Sequence, residues 1–258
     1  MNSISNKEKI LVVTPYYKEG RDMIEHCIAS VKRQTIPSDH VLVADGFPQA
    51  WLDEAPIRHV KLDQAHGDYG NLARGLGALL GIAESYTAIA FLDADNWFDD
   101  DHIELCLNTA RRHPSAGFIV AQRRFVRPDH SVLETVTPAD IPYGGHVDTN
   151  CYLFLPRVFH LLHYWSQIPR QLASFGDHIF KLMLQSRYPE PMVSTDRRTV
   201  NYLCMFEGVY REKGEVPPEG AKPYVDWSMC QNWLESLSAD ELQYYSELVS
   251  LKLTNSRS

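Results

Sequence analysis

Apolar residues recur along this chain in two rhythms, and their order is the first clue to the fold. Short apolar runs bounded by Pro, Gly or Asp read as buried strands: Lys9 to Thr14 stopped by Pro15, His40 to Ala44 ending at Asp45-Gly46, Ile57 to Leu62, and Ala88 to Leu92. Between them the apolar positions return at helical spacing. Met23, Ile24, Cys27, Ile28 and Val31 mark one helix, and Leu72, Leu76, Leu79, Leu80 and Ala83 a second. Ile103, Cys106, Leu107 and Ala110 mark a third, ended by Pro114. This β-α-β-β-α-β-α order predicts an α/β fold with helices packed on a mostly parallel, Rossmann-like sheet.

The rhythm changes after residue 113. Gly117 to Gln122 and Phe125 to Val136 read as strands, the latter turned at Pro128-Asp129, and Asp148 to Leu155 as another after a Pro142-Tyr143-Gly144-Gly145 loop. Ile179, Phe180, Met183 and Leu184 suit a helix beginning near Asp177, and Thr199 to Cys204 a further strand. Residues 211–223 are too rich in Pro, Gly and charge to pack and read as a mobile loop. Ser238-Ala239-Asp240-Glu241 is a capping-box signature for a terminal helix with Leu242, Tyr245 and Val249 inward. The expectation is a single domain: residues 9–112 as one half, 113–210 as a smaller mixed half, then the loop and terminal helix over 211–258. Residues 1–8 read as a loosely held arm.

Charge and cysteines narrow the class. With 25 Lys plus Arg against 33 Asp plus Glu, a formal net charge of −8, and no long basic run, nucleic acid is not the expected partner. Five scattered cysteines without a Cys-x-x-Cys read as reduced core residues of a cytoplasmic protein. No apolar run approaches the length of a membrane span, which leaves peripheral attachment at the inner membrane face open.

The candidate chemistry centres on Asp93-Ala94-Asp95, which ends the Ala88–Leu92 run. Open α/β sheets present ligand-binding groups at the C-terminal ends of their strands. Two crowded carboxylates repel, and a divalent cation relieves that repulsion. Mg²⁺ typically uses one or two protein carboxylates and takes its other ligands from water and phosphates. The plainer reading is that both acids cap the helix that follows. A calcium loop over Asp93 to Glu104 fails, because the Gly needed at its sixth position is Phe98. A phosphohydrolase with an aspartyl nucleophile is a minor alternative, disfavoured by Trp97 and by the late position of the motif.

Taken together, Thr14-Pro15-Tyr16-Tyr17, Asp45-Gly46, Gly70-Asn71-Leu72-Ala73-Arg74 and Asp93-Ala94-Asp95 resemble the nucleotide-binding half of family 2 glycosyltransferases of the GT-A fold. The resemblance covers about residues 9–112 and, more loosely, 145–204. No single motif is specific, but their order and spacing are. It implies transfer of a sugar, with inversion, from a nucleotide diphosphate donor to a glycan, lipid-linked or other hydroxyl acceptor. By the same resemblance Tyr16 stacks on the base while the Thr14-Pro15 backbone approaches it, Asp45 accepts a base N–H, and Asp68 faces the base. Arg74 supplies fixed positive charge to base or phosphate, Asp93 contacts the ribose beside Ala94, and Asp95 binds Mn²⁺ or Mg²⁺. Glu19 matches the acid of the first-strand loop, Asp148 and Asn150 lie near the donor sugar, and Asp177 stands at the place of the catalytic base.

Each of these residues has a plainer reading. Asp45, Asp148 and Asn150 suit turns, Arg74 an exposed helix position, and Asp177 a helix cap. The chain also departs from the family pattern twice. Gly176 replaces the first acid of the Glu-Asp motif, and no histidine follows His178 to serve as a late metal ligand, leaving His146 or Glu207 as substitutes. A non-catalytic sugar-nucleotide or carbohydrate-binding protein is therefore the rival from another class. A sugar nucleotidyltransferase would need a Gly-rich basic loop where this chain has Tyr16-Tyr17-Lys18-Glu19.

Overall fold

Four parallel strands build the first half, in the order β3-β2-β1-β4: β1 (Ile10–Tyr16), β2 (Asp39–Asp45), β3 (Arg58–Leu62) and β4 (Ala88–Phe91). This is a computed structural model, and it describes residues 8–133, 147–223, 227–249 and 252–254. The loop expected at 142–145, the strand end at Val136, His146 and residues 1–7 lie outside the described residues. β1 continues through Pro15 instead of stopping there. Val13 points its carbonyl toward β4, where it accepts from Leu92 N–H at 3.1 Å. Pro15, two residues on, points its nitrogen the same way, beyond the last β1–β4 pair, Val13 with Phe91. No ladder bond is lost there, so the proline is tolerated.

The second half adds β5 (Trp97–Phe98), β6 (Phe118–Val126), β7 (Val132–Leu133), β8 (Tyr152–Phe154) and β9 (Val193–Leu203). Antiparallel β8 joins β4 to β6, β9 runs parallel to β6, and β5 closes the path on β9, giving nine strands among the described residues. The two strands expected around residue 123 are one continuous β6, with the Pro128-Asp129 turn leading to β7. The expected strand from Asp148 is shorter, because Thr149–Cys151 forms a 3-10 turn before β8.

The helices are α1 (Arg21–Lys32), α2 (Asn71–Ala83), α3 (His102–Arg112), α4 (Gly176–Arg187), α5 (Glu207–Glu212), α6 (Trp227–Ser236) and α7 (Ala239–Leu248). In α1 the inward positions are Ile24, Cys27, Ser30 and Val31, and Met23 is turned to solvent. α2 corrects the sequence reading more seriously. Its buried face is Ala73, Arg74, Gly77, Ala78 and Gly81, while Leu79 is 42% exposed. A Cβ on Gly77 would stand 2.3 Å from Val13 Cγ1, and one on Gly81 2.8 Å from Leu11 Cδ2. Small residues let this helix lie directly on β1, so the leucines that looked like the core stripe flank the contact.

Pro156–Gln167 and Arg170–Phe175 are 3-10 segments that periodicity did not reveal, because a three-residue turn fits neither the helix nor the strand template. They bury Val158, Leu161, Leu162, Trp165 and Leu172. The segment 211–223, expected to be loose, makes several contacts. α5 takes its first two residues, Arg127 holds Glu215 through Nε at 2.9 Å and Nη2 at 2.7 Å, and Lys222 N–H donates to Met205 O at 2.6 Å. The capping box of α7 is present, with Val249 buried and Leu242 and Tyr245 half-buried. All five cysteines are buried, and none forms a disulfide with another. Among the described residues no helix is long and apolar enough to cross a membrane.

Candidate functional site

Beyond the tip of β4 the backbone turns, and charged side chains from three elements meet. Arg74 Nη2 donates to Asp93 Oδ1 at 2.6 Å. Asp93 N–H donates to Asn150 Oδ1 at 2.5 Å, and Asn150 Nδ2 returns a bond to Asp93 Oδ2 at 3.1 Å and reaches Asp148 Oδ1 at 2.6 Å. Arg123 Nη1 closes the row on Asp148 Oδ2 at 2.7 Å. The result is an alternating series Arg74, Asp93, Asn150, Asp148, Arg123, in which each buried charge has an opposite neighbour, the condition under which charges are tolerated in an interior. Arg74, Asp93, Asp148 and Asn150 are thus brought together as expected. Arg74 is 3% exposed and lies over Trp165, 4.9 Å from the ring centroid, so the exposed-arginine reading fails. Helix capping fails for Asp93 and Asp95, because β5 intervenes and Asp101 is the N-cap of α3.

Arg123 is not among the residues singled out from the sequence. Its signal was available: an arginine between Ala121 and Phe125 in an apolar strand needs a buried partner. The guanidinium also lies over Phe125 and Tyr202, at 4.7 and 4.9 Å.

Asp95 is half-buried, and its carboxyl is pushed up to about 7, first by burial and then by the negative charges of Asp93, Glu19 and Asp148. That surplus of negative charge around one carboxylate is the setting that a divalent cation neutralises, so the residues fit the ion the family pattern implies. Among the described residues no three His, Cys, Asp or Glu side chains cluster as a self-sufficient metal site. Asp95 would be the protein ligand, with phosphate and water completing the shell. Glu207 is engaged by Arg211 at 2.8 Å. Glu19 Oε2 accepts from Tyr17 N–H at 2.6 Å, closing the turn after β1.

One expected donor contact, the stacking of Tyr16, is corrected. Tyr16 is 2% exposed: its ring packs with Ile24, Leu42, Leu52 and Ala94, and its hydroxyl meets His59 Nε2 at 2.7 Å. Stacking on a base is not open to it. Thr14 is buried, with Oγ1 2.7 Å from His40 Nε2. Side chains alternate along a strand, so the residue after Tyr16 faces outward. Tyr17 stands edge-on to exposed Phe47 with centroids 4.7 Å apart, and Lys18 Nζ lies 4.9 Å from the Tyr17 ring and 4.4 Å from the Phe47 ring. This aromatic pair at the tips of β1 and β2 was missed because Tyr16 took the assignment.

Asp45 anchors the loop before α2, accepting from His66 N–H at 2.8 Å and Gly67 N–H at 2.9 Å, so a base N–H would share the carboxylate with them. Asp68 Oδ2 accepts from Leu72 N–H at 2.8 Å and holds the start of α2. Gly70 precedes that helix at φ +77°, and a Cβ there would meet Pro15 Cβ at 2.8 Å, which ties the helix start to the tip of β1. Asp68 Oδ1 and Arg74 Nε are buried without a hydrogen-bond partner among the described residues.

Asp177 lies in the first turn of α4, half-buried, with Oδ1 accepting from His178 N–H at 2.7 Å. Gly176 before it has no room for a side chain: a Cβ would sit 2.7 Å from both terminal atoms of the Asn71 carboxamide. The missing acid of the Glu-Asp pair therefore has a local cause, because Asn71 fills its space.

Residues 11–138 match the family model described as glycosyl transferase family 2. No curated protein sequence matches the chain. Among solved structures the chain is similar to S. aureus TarS 1-349 in complex with UDP, at TM-score 0.57 and 12% identity, covering 93% of this chain and 78% of that one. It is also similar to S. aureus TarS 1-349 without a named ligand, at TM-score 0.56 and 13% identity, covering 83% and 67%. Against S. aureus TarS 1-349 in complex with UDP-GlcNAc the TM-score is 0.52 at 12% identity, covering 93% and 81%. At such identities the likeness establishes the fold, a GT-A type α/β architecture. With the family match running from β1 past the tip of β4, residues 11–138 of the chain belong to glycosyl transferase family 2.

Proposed function

We propose that this single domain transfers a sugar from a nucleotide diphosphate donor to a hydroxyl acceptor, glycan or lipid-linked, with inversion at the anomeric carbon. The observation that carries the reading is the row of paired charges from Arg74 to Arg123 beside Asp95, at the strand ends where an open α/β sheet binds ligands. The solved TarS complexes with UDP and UDP-GlcNAc support a uridine nucleotide as the first donor to try. Tyr17 and Phe47 offer an aromatic face for the base, with Asp45 and Asp68 behind it, and Asp93 and Arg74 face the ribose and diphosphate.

A divalent ion held by Asp95, Mn²⁺ or Mg²⁺, would stabilise the charge of the departing diphosphate. Asp177 takes the proton of the acceptor hydroxyl. A carboxylate fixed in the first turn of a helix is a positioned group that can accept that proton in the transition state. Asp148 and Asn150 orient the donor sugar between the two sides. The activity is placed in the cytoplasm, with attachment at the inner membrane face where the acceptor is lipid-linked.

Titration calorimetry against UDP, GDP, CDP and ADP, each with and without Mn²⁺, tests the donor assignment. One nucleotide should bind, more tightly with the ion, and Asp95→Ala should abolish the increment due to the ion. Equal affinity of wild type and Asp95→Ala with metal present would refute the role of Asp95.

A further inference from the structure

Asn71 touches both sides of this site and belongs to neither assigned role. It is buried at the first position of α2, and each end of its carboxamide is used. Oδ1 accepts from Arg74 Nη1 at 3.0 Å, on the arginine that holds Asp93. Nδ2 donates to Ala173 O at 3.2 Å, in the 3-10 segment that leads into α4. The same amide fills the space above Gly176, the residue before Asp177. A second, apolar link runs parallel to it: Trp165 lies under the Arg74 guanidinium and stacks on Phe180 of α4, centroids 4.4 Å apart and planes 17° from parallel.

We propose that Asn71 is a positioning residue that couples the donor-side arginine to the start of α4, so that the place of Asp177 is set by the same side chain that orients Arg74. The inference rests on the reading of Asp177 as the base. Its chemistry is plain. A carboxamide carries an acceptor and a donor on one rigid plane, so a shift of Arg74 that follows the donor is passed to the Ala173 carbonyl one side chain away. Glycine at 176 is the other half of the device, since any Cβ there would displace the amide. An acid at 176 and the Asn71 amide in its present place thus exclude each other.

The test uses the full chain with Asn71→Ala, Gly176→Ala, the double variant and Asp177→Asn. Amide hydrogen exchange is followed over residues 173–180, and release of UDP from UDP-GlcNAc with Mn²⁺ is the turnover probe. Asn71→Ala should speed exchange at the start of α4 and lower kcat by about 10²-fold with little change in donor KM, the cost of misplacing a reacting group by about an ångström. The double variant should lose no more than the worse single variant, as residues of one device behave. Asn71→Ser replaces Asn71→Ala where the latter does not fold. Unchanged exchange in the Asn71 variant, or single effects that multiply in the double, would overturn the coupling. Where UDP-GlcNAc is not turned over, the exchange measurements decide alone. Normal turnover by Asp177→Asn would remove the base assignment, a result distinct from failure of the coupling.

Discussion

On the proposed donor side of the site charge is held by charge: Arg74 on Asp93 and Arg123 on Asp148, joined by Asn150. On the proposed acceptor side Asp177 is seated after a glycine that fits beneath the Asn71 amide. The donor side needs paired charges because a nucleotide diphosphate brings strong negative charge, and fixed, pre-paired side chains need not reorganise to meet it. The acceptor side needs one carboxylate at hydrogen-bond distance from a hydroxyl, so its position matters more than its surroundings. Replacing a group should therefore damage chemistry on one side and stability on the other.

The largest effect is expected at Asp177. Asp177→Asn keeps shape and removes the proposed base, so turnover should fall by about 10²–10⁴ while nucleotide affinity by calorimetry stays put. Transfer near the wild-type rate, or a product of retained configuration by NMR, would break the comparison at its acceptor end.

The donor end is broken by Asp148→Ala, which leaves Arg123 buried beside Phe125 and Tyr202 without its anion. Urea unfolding should show a loss of about 3–5 kcal/mol, and Arg123→Met combined with Asp148→Leu much less, because the cost lies in the stranded charge. If the double variant is the less stable of the two, pairing is not what holds this side.

Two histidines, half-buried His40 and buried His102, extend the comparison to the halves of the sheet. His40 on β2, against Thr14, and His102 on α3, against Thr199 Oγ1 at 2.7 Å, are each pushed down to about 3 by burial. In the unfolded chain each titrates near 6.5, so the unfolded state binds the proton first. Stability is full above about pH 6.5 and falls as pH drops toward about 3, at roughly 1.4 kcal/mol per pH unit for each histidine. His40→Gln should remove the share of the first half and His102→Gln that of the second. An unchanged slope of unfolding free energy against pH in both variants would contradict their neutral burial.

The smallest effect lies far from the site. Ser238→Ala removes the cap whose Oγ accepts from Glu241 N–H at 3.2 Å, and should cost about 1 kcal/mol in thermal unfolding without touching nucleotide affinity.

The first half was legible because its strands are short apolar runs that end in chemistry, so Asp45 and Asp93 could be placed at strand tips from spacing alone. The mostly parallel arrangement of the strands followed from the βα alternation. Three things did not follow. The inward face of α2 was misread because glycine contributes nothing to an apolar count, although it marks close approach. Tyr16 and Tyr17 could not be told apart, since a one-residue difference in strand length decides which of the two is buried. Arg123 and Asn71 act across about 25 and 100 residues of sequence, and no local pattern encodes a partner that distant.

The glycines beneath α2 turn a usual rule of protein engineering around. Replacing an interior helix glycine by alanine favours the helix by about 1 kcal/mol, and it is a standard stabilising change. At Gly77 or Gly81 the added methyl would collide with Val13 or with Leu11 and Ile89, lifting the helix from the sheet. Arg74 rides on the first turn of that helix, so the lift would draw the guanidinium away from Asp93. Improving the helix as an isolated element would thus cost the enzyme its charge alignment.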